Sequence, residues 1–229
     1  MKYLISDIHG DFFHFEKMLK EIEFKETDTM FILGDIFDRG KANIELYREL
    51  RKRNNMILLK GNHEMFAQMY LEGKIKKRQW DLWGGKYTRK QVDKLSSAER
   101  GELRRYLQEL PYYIPLSVEG EEWILTHTGL GNRIVRNEDG SIHIRGSIEA
   151  AVEENPLEYL LSDLIHHVSE KEKFDAYVVV GHVPTLRLTG KAGIFHEGRY
   201  TCIDTGNGWR ENGGWLSCYC IDTKEEFYI

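Results

Sequence analysis

The 229-residue chain is 41% hydrophobic and 30% charged with 4 Pro, which excludes a disordered or collagen-like polypeptide and leaves room for a sizeable core. Lys and Arg number 32 against 37 Asp and Glu, a net charge of −5, so the chain lacks the basic excess that carries nonspecific nucleic-acid binding. No apolar run approaches the roughly 18 residues of a membrane span, and Met1-Lys2 leads into a short apolar run without a signal-peptide pattern.

The expectation is a cytoplasmic protein whose mature form starts here, with neither a nucleic-acid nor a membrane partner. Short β-rich apolar runs recur at residues 3–5, 30–33, 56–59, 123–125, 177–180, 200–203 and 215–221. Most do not alternate with polar residues, which predicts strands covered on both faces. Between the first three runs lie helical patterns, Phe15, Met18, Leu19 and Ile22 in one and Ile44, Tyr47 and Leu50 in the other. The front half therefore reads βαβαβ. Residues 72–95 fit neither pattern, with Lys74, Lys76, Lys77 and Arg78 before Trp80, Trp83 and Gly84-Gly85. They read either as a lid or groove insertion or as a solvated basic turn followed by anchoring tryptophans. A helix is predicted over 97–110, with Leu103, Tyr106, Leu107 and Leu110 on its buried stripe and Pro111 ending it. The Gly-rich stretch 206–214 suggests that the runs at 200 and 215 form a hairpin with a long loop. No repeat or linker divides the chain, so one domain over residues 1–229 is the simpler organisation. Cys202, Cys218 and Cys220 form no CxxC pair and are expected as buried thiols, the last two on one face of a strand.

The polar residues after the apolar runs carry the chemical signal. Ser6-Asp7-Ile8-His9-Gly10 closes the first, and Gly34-Asp35-Ile36-Phe37-Asp38-Arg39-Gly40 the second. Gly61-Asn62-His63-Glu64 follows the third, Thr126-His127-Thr128-Gly129 the fourth, and Gly181-His182-Val183-Pro184 the fifth. Any one of these fragments is a helix cap, a turn or a structural histidine when taken alone. Capping does not explain why His9, His63, His127 and His182 all occupy strand ends, where ligands collect in sheets with parallel strands.

These residue types suit a pair of metal ions. Asp7 and His9 are i and i+2, so in extended backbone both face one ion. Asp35 has two carboxylate oxygens with which to bridge two ions, and Asn62, His127 and His182 complete the second. Carboxylate, amide oxygen and imidazole without thiolate fit Mn²⁺, Fe or Zn²⁺ better than a closed structural zinc site. Two such ions about 3.5–4 Å apart clamp a phosphoryl group and lower the pKa of a bound water towards about 7. His63 then projects over the substrate as a general acid, Asp38 orients it, and Arg39 takes phosphate oxygens in a bidentate fork.

In this combination the motifs SDIHG, GDIFDRG, GNHE, THTGL and GHVPT, followed by Cys202-Ile203-Asp204-Thr205-Gly206, resemble the PPP-type, calcineurin-like metallophosphoesterases. That family includes protein Ser/Thr phosphatases and symmetrical diadenosine tetraphosphate hydrolases. The resemblance runs from Asp7 to about Ile221, and LWGGKYT from Leu82 is similar to a segment of bacterial members, which moves residues 72–95 towards a substrate-groove role. It implies an α/β fold with a central β-sandwich of mixed sheets flanked by helices. It assigns Asp7, His9, Asp35, Asn62, His127 and His182 to two divalent metal ions, with Mn²⁺ the first choice, and His63, Asp38 and Arg39 to catalysis. Ser6 departs from the first Gly of the family's GDxHG. Many bacterial members carry a second phosphate-binding Arg between the last two metal histidines, and residues 157–166 hold none; Arg145 is the substitute candidate, with Arg133 and Arg136 behind it. His166 and His167 are expected as packing or surface residues. The function implied is a metal-dependent Ser/Thr protein phosphatase in which a metal-bound hydroxide attacks phosphorus in line, acting on a phosphoprotein or small phosphoester. The alternative is a symmetrical dinucleoside polyphosphate hydrolase. An inactive binding scaffold is a remote third, since all nine inferred site positions are filled.

Overall fold

The computed structural model describes residues 1–169 and 171–229. The first half runs β1 (Lys2–Ile5), α1 (Phe12–Glu21), β2 (Thr29–Ile32), α2 (Asn43–Arg51), β3 (Met56–Leu58), α3 (Asn62–Leu71), α4 (Lys77–Trp80), α5 (Lys86–Val92), α6 (Ser97–Glu109), β4 (Tyr113–Val118) and β5 (Glu121–Thr126). The second runs α7 (Ile144–Glu154), α8 (Pro156–Leu160), α9 (Leu164–His167), β6 (Tyr177–Val180), α10 (Thr185–Thr189), β7 (Phe195–Glu197), β8 (Tyr200–Cys202), β9 (Ser217–Cys220) and β10 (Glu226–Tyr228). Two mixed sheets result, ordered β10-β9-β1-β2-β3 and β4-β5-β6-β8-β7. Strands β1, β2 and β3 are parallel, as are β5, β6 and β8. Antiparallel strands β9 and β10 close one edge of the first sheet, and β4 and β7 both edges of the second; β3 is a parallel edge. This is the α/β sandwich of mixed sheets flanked by helices that the motifs imply.

The non-alternating runs behave as their composition predicts. In β1, Tyr3 and Ile5 point to one apolar cluster with the helices, while Leu4 points to another between the sheets. Strand β6 does the same, Val178 and Val180 facing one cluster and Val179 the intersheet one. Period-two side chains buried on both faces explain why no polar residue interrupts these strands. Each fully buried Leu, Ile or Val stabilises the fold by about 1.5–3 kcal/mol. The three cysteines are buried thiols, with Cys218 and Cys220 on the helix-side face of β9.

Helix α6 starts where the sequence places it. The Ser96 hydroxyl accepts from the Glu99 amide at 3.2 Å, and the Glu99 carboxylate accepts from the Ser96 amide at 2.9 Å, a reciprocal cap worth about 1 kcal/mol. Two features differ from expectation. Strands β8 and β9 are not a hairpin: β8 pairs with β6 and β7, β9 with β1 and β10, and the glycine-rich connection crosses from one sheet to the other. Strand β4 carries no clear periodic signal because Pro115 interrupts it, yet it pairs with β5 from Tyr113 to Val118. As an edge strand it tolerates the missing amide. Among the described residues, no helix is long and apolar enough to cross a membrane.

Candidate metal centre

The ends of β1, β2, β3, β5 and β6 deliver Asp7 and His9, Asp35, Asn62, His127, and His182 in turn. The loops lock together through backbone bonds, Asp7 N to Gly34 O at 3.2 Å, His9 N to Asp35 O at 2.9 Å and Gly181 N to His127 O at 3.0 Å. The backbone is not extended here, as the i, i+2 argument supposes. Asp7, His9, Asp35, Asp38, Arg39 and His182 have φ between 50° and 71°, six of the nine non-glycine positive φ angles among the described residues. Asp and His tolerate this conformation better than most, but each such residue costs of order 1 kcal/mol. Tight left-handed turns, and not strand alternation, aim Asp7 and His9 into one pocket. Gly61 is required beside them, because a Cβ there would lie 2.2 Å from Asp35 Oδ1.

The side chains converge as the motifs imply. The Nε2 atoms of His127 and His63 lie 3.5 and 3.9 Å from Asp35 Oδ2, and His9 Nε2 lies 3.8 Å from Asp7 Oδ1. Asn62 Oδ1 sits 3.0 Å from His127 Nε2 and 3.1 Å from His182 Nδ1. Asp35 belongs to two clusters of ligand-capable atoms, one with His9 and His63 and the other with His127 and His182.

Hydrogen bonding determines what the rings present. His127 Nδ1 donates to Leu33 O at 2.7 Å and His9 Nδ1 to Phe37 O at 2.9 Å. Carbonyls only accept, so in the neutral ring Nε2 keeps its lone pair and faces the pocket. For the neutral His127 ring that lone pair looks at the Asn62 and Asp35 oxygens, acceptor against acceptor, a repulsion that either a proton on Nε2 or a divalent cation between them relieves. Titration behaves accordingly: burial works against a charged His127, but Asp35 outweighs it and lifts the group to about 10. Burial pushes Asp7 up, and burial aided by His127 holds His182 down at about 3. The donor set fits divalent cations.

His63 is oriented differently. Its Nδ1 donates to Asp38 Oδ2 at 2.7 Å, and although burial disfavours its charge, Asp35 and Asp38 raise its pKa overall. Asp38 also accepts from Trp80 Nε1 at 2.9 Å and from the Thr88 hydroxyl, and its amide donates to Thr88 Oγ1 at 3.0 Å. Sequence reasoning does not single out Trp80 and Thr88 as site residues. Thr88 ends the LWGGKYT stretch, the one available signal, and nothing in the spacing shows that residues 77–92 wrap beneath Asp38. Arg39 stands exposed at the rim, its amide bonded to Gly84 O at 3.0 Å.

Arg145 lies on α7 with its guanidinium against Glu149 and the Tyr113 hydroxyl, and Arg133 pairs with Glu154. His166 bonds the Tyr200 hydroxyl at 2.6 Å and His167 is exposed, the packing and surface roles expected of them.

Glu64 is a further residue that sequence reasoning misses. Its buried carboxylate accepts from the amides of Asp35 at 2.7 Å, Ile36 at 2.9 Å and Gly61 at 2.9 Å, tying the β2 loop to the β3 loop. Burial, then Asp35, lifts it to about 7. Glu64→Gln puts an amide N–H against these donors and is expected to weaken metal affinity about 10–100-fold, the usual cost of losing an outer partner. Competition with a chelating dye measures this, and unchanged affinity would show that Glu64 does not hold the loops in register.

The profile of the calcineurin-like phosphoesterase family matches residues 3–209 of this chain. A symmetrical bis(5'-nucleosyl)-tetraphosphatase of Actinobacillus pleuropneumoniae is 29% identical over 131 residues, 56% of this chain and 44% of that protein. The match thus spans less than half the length of the curated relative. In fold, the chain is similar to a metallophosphoesterase from Sphaerobacter thermophilus, with a TM-score of 0.54, 17% identity and coverage of 99% and 86% of the two chains. It is likewise similar to a protein serine/threonine phosphatase from Saccharomyces cerevisiae, with a TM-score of 0.53, 14% identity and coverage of 95% and 71%.

Proposed function

Because the chain belongs to the calcineurin-like phosphoesterase family, metallophosphoesterases with a dinuclear metal centre, we propose that it hydrolyses dinucleoside polyphosphates such as diadenosine tetraphosphate at this pocket. The supporting observation is the set of acceptors from five strand ends, with the lone pairs of His9 and His127 turned inward by carbonyl partners. Asp7, His9, Asp35, Asn62, His127 and His182 would hold the two ions, for which Mn²⁺ is our choice and Fe or Zn²⁺ also match. When bound, the ions acidify a water and offset charge on the phosphoryl oxygens.

The chain's own groups do the rest. A water that has released one proton to solvent bonds through its oxygen in line to one of the two central phosphorus atoms, and the P–O bond to the central bridging oxygen breaks. The His63 Nε2 proton passes to that oxygen, so two nucleoside diphosphates leave. Asp38 keeps His63 oriented through Nδ1, and Trp80 and Thr88 hold Asp38. Arg39 offers its guanidinium to the phosphate oxygens.

A second reading, phosphoserine or phosphothreonine in a protein, uses the same steps on a monoester. The exposure of Arg39 at the rim favours it, since a phosphate carried on a protein could reach that guanidinium. A panel after chelation and reloading with Mn²⁺, Zn²⁺ or Fe²⁺ separates the two. The first reading expects diadenosine tetraphosphate to yield ADP as the sole nucleotide product. Turnover of a phosphopeptide with the dinucleotide left intact would replace it by the second.

A further inference from the structure

Beside the metal pocket lies a cavity of about 570 Å³, a ligand-sized volume that shares His9 and Arg39 with the site. Its remaining wall includes Lys41, Phe13 and Trp209. Phe13 is 63% and Trp209 45% exposed, so each leaves a large share of its ring surface open to solvent. The Arg39 guanidinium lies over the Trp209 ring at 5.3 Å. Gly208 permits that approach, since a Cβ there would sit 2.6 Å from both Arg39 Nη1 and His9 Cδ2. The backbone of Arg39 is tied in turn to Gly84, beside a second tryptophan. Trp83 is 40% exposed, its ring tilted 34° against Phe66 at 4.6 Å, and Phe66 meets His63 at 5.5 Å. The guanidinium thus lies over one exposed tryptophan near His9, and the Arg39 amide is bonded to the residue next to a second, which reaches the His63 side through Phe66.

We propose that Trp209, with Phe13, and Trp83 are two base-stacking platforms that receive the two nucleosides of a dinucleoside polyphosphate while Arg39 and Lys41 take its phosphates. This rests on the phosphohydrolase reading above and adds to it the groups that select the substrate. A phosphate flanked by two aromatic faces matches a molecule with a base at each end. A phosphoserine side chain leaves both faces unused. Every base has a π face, so the platforms accept any purine nucleoside.

The test uses the full chain loaded with Mn²⁺ and a non-hydrolysable methylene analogue of diadenosine tetraphosphate, titrated calorimetrically. Trp209→Ala and Trp83→Ala are each expected to weaken binding about tenfold, the size of one base–aromatic stack, and Trp209→Phe to restore most of it. In turnover, the preference for diadenosine tetraphosphate over glycerol phosphate should fall by a similar factor. Wild-type affinity in both alanine variants overturns the proposal. So does a wild-type enzyme that hydrolyses glycerol phosphate but does not bind the analogue. If the analogue binds and both tryptophans matter, yet no phosphoester is hydrolysed, the platforms stand and the hydrolase reading falls.

Discussion

His63→Asn leaves two metal equivalents bound and lowers turnover at least a hundredfold. The loss is the proton: a carboxamide has no titrating nitrogen for the leaving oxygen, and general acid catalysis contributes about 10²–10⁴-fold. The metal stays because His63 Nδ1 is committed to Asp38, and Asp35 and Asp38 raise the ring's pKa against burial, which favours a proton on Nε2 over a metal bond there. Asp38 retains Trp80 and Thr88 as donors, so its carboxylate is not stranded by the change. The alternative is concrete, since Nε2 lies 3.9 Å from Asp35 Oδ2, near enough to join a ligand cluster with His9. Metal analysis and steady-state kinetics on one preparation decide. Loss of an ion would make His63 a ligand, and wild-type turnover would remove it from the acid role.

Asp35→Asn empties the centre. Asp35 is common to both clusters of donor atoms, and its carboxylate lies 3.5 Å from His127 Nε2. An amide there halves the number of oxygen donors and turns an N–H₂ towards imidazole lone pairs. The affinity lost should exceed the roughly 10–100-fold that an outer partner such as Glu64 costs. After dialysis, the variant is expected to retain less than one equivalent of metal, with turnover falling in proportion. Two retained equivalents would assign the bridge to another residue.

The candidate ligands are legible in the sequence because each follows an apolar run, and parallel strands carry such positions to one edge. Sequence order alone therefore groups Asp7 with His182, although the chain between them is long. Direction is not legible. The left-handed φ of Asp7 and His9 goes with bonds to Gly34 and Asp35 in the loop after β2, and no local pattern encodes a bond made to a neighbouring loop. The same limit hides Trp80 and Thr88, whose links to Asp38 span 42 and 50 residues. It also makes a hairpin of β8 and β9, since alternation of turns and apolar residues does not say which sheet a strand joins. Pro115 conceals β4 because it removes a ladder donor, a loss that only an edge position makes harmless.

Crystals grown with Mn²⁺ and measured for anomalous scattering test the dinuclear centre most directly. Two manganese peaks are expected on either side of Asp35, one reached by Asp7 and His9 and the other by Asn62, His127 and His182. One peak, none, or a pair bound away from these side chains would contradict it.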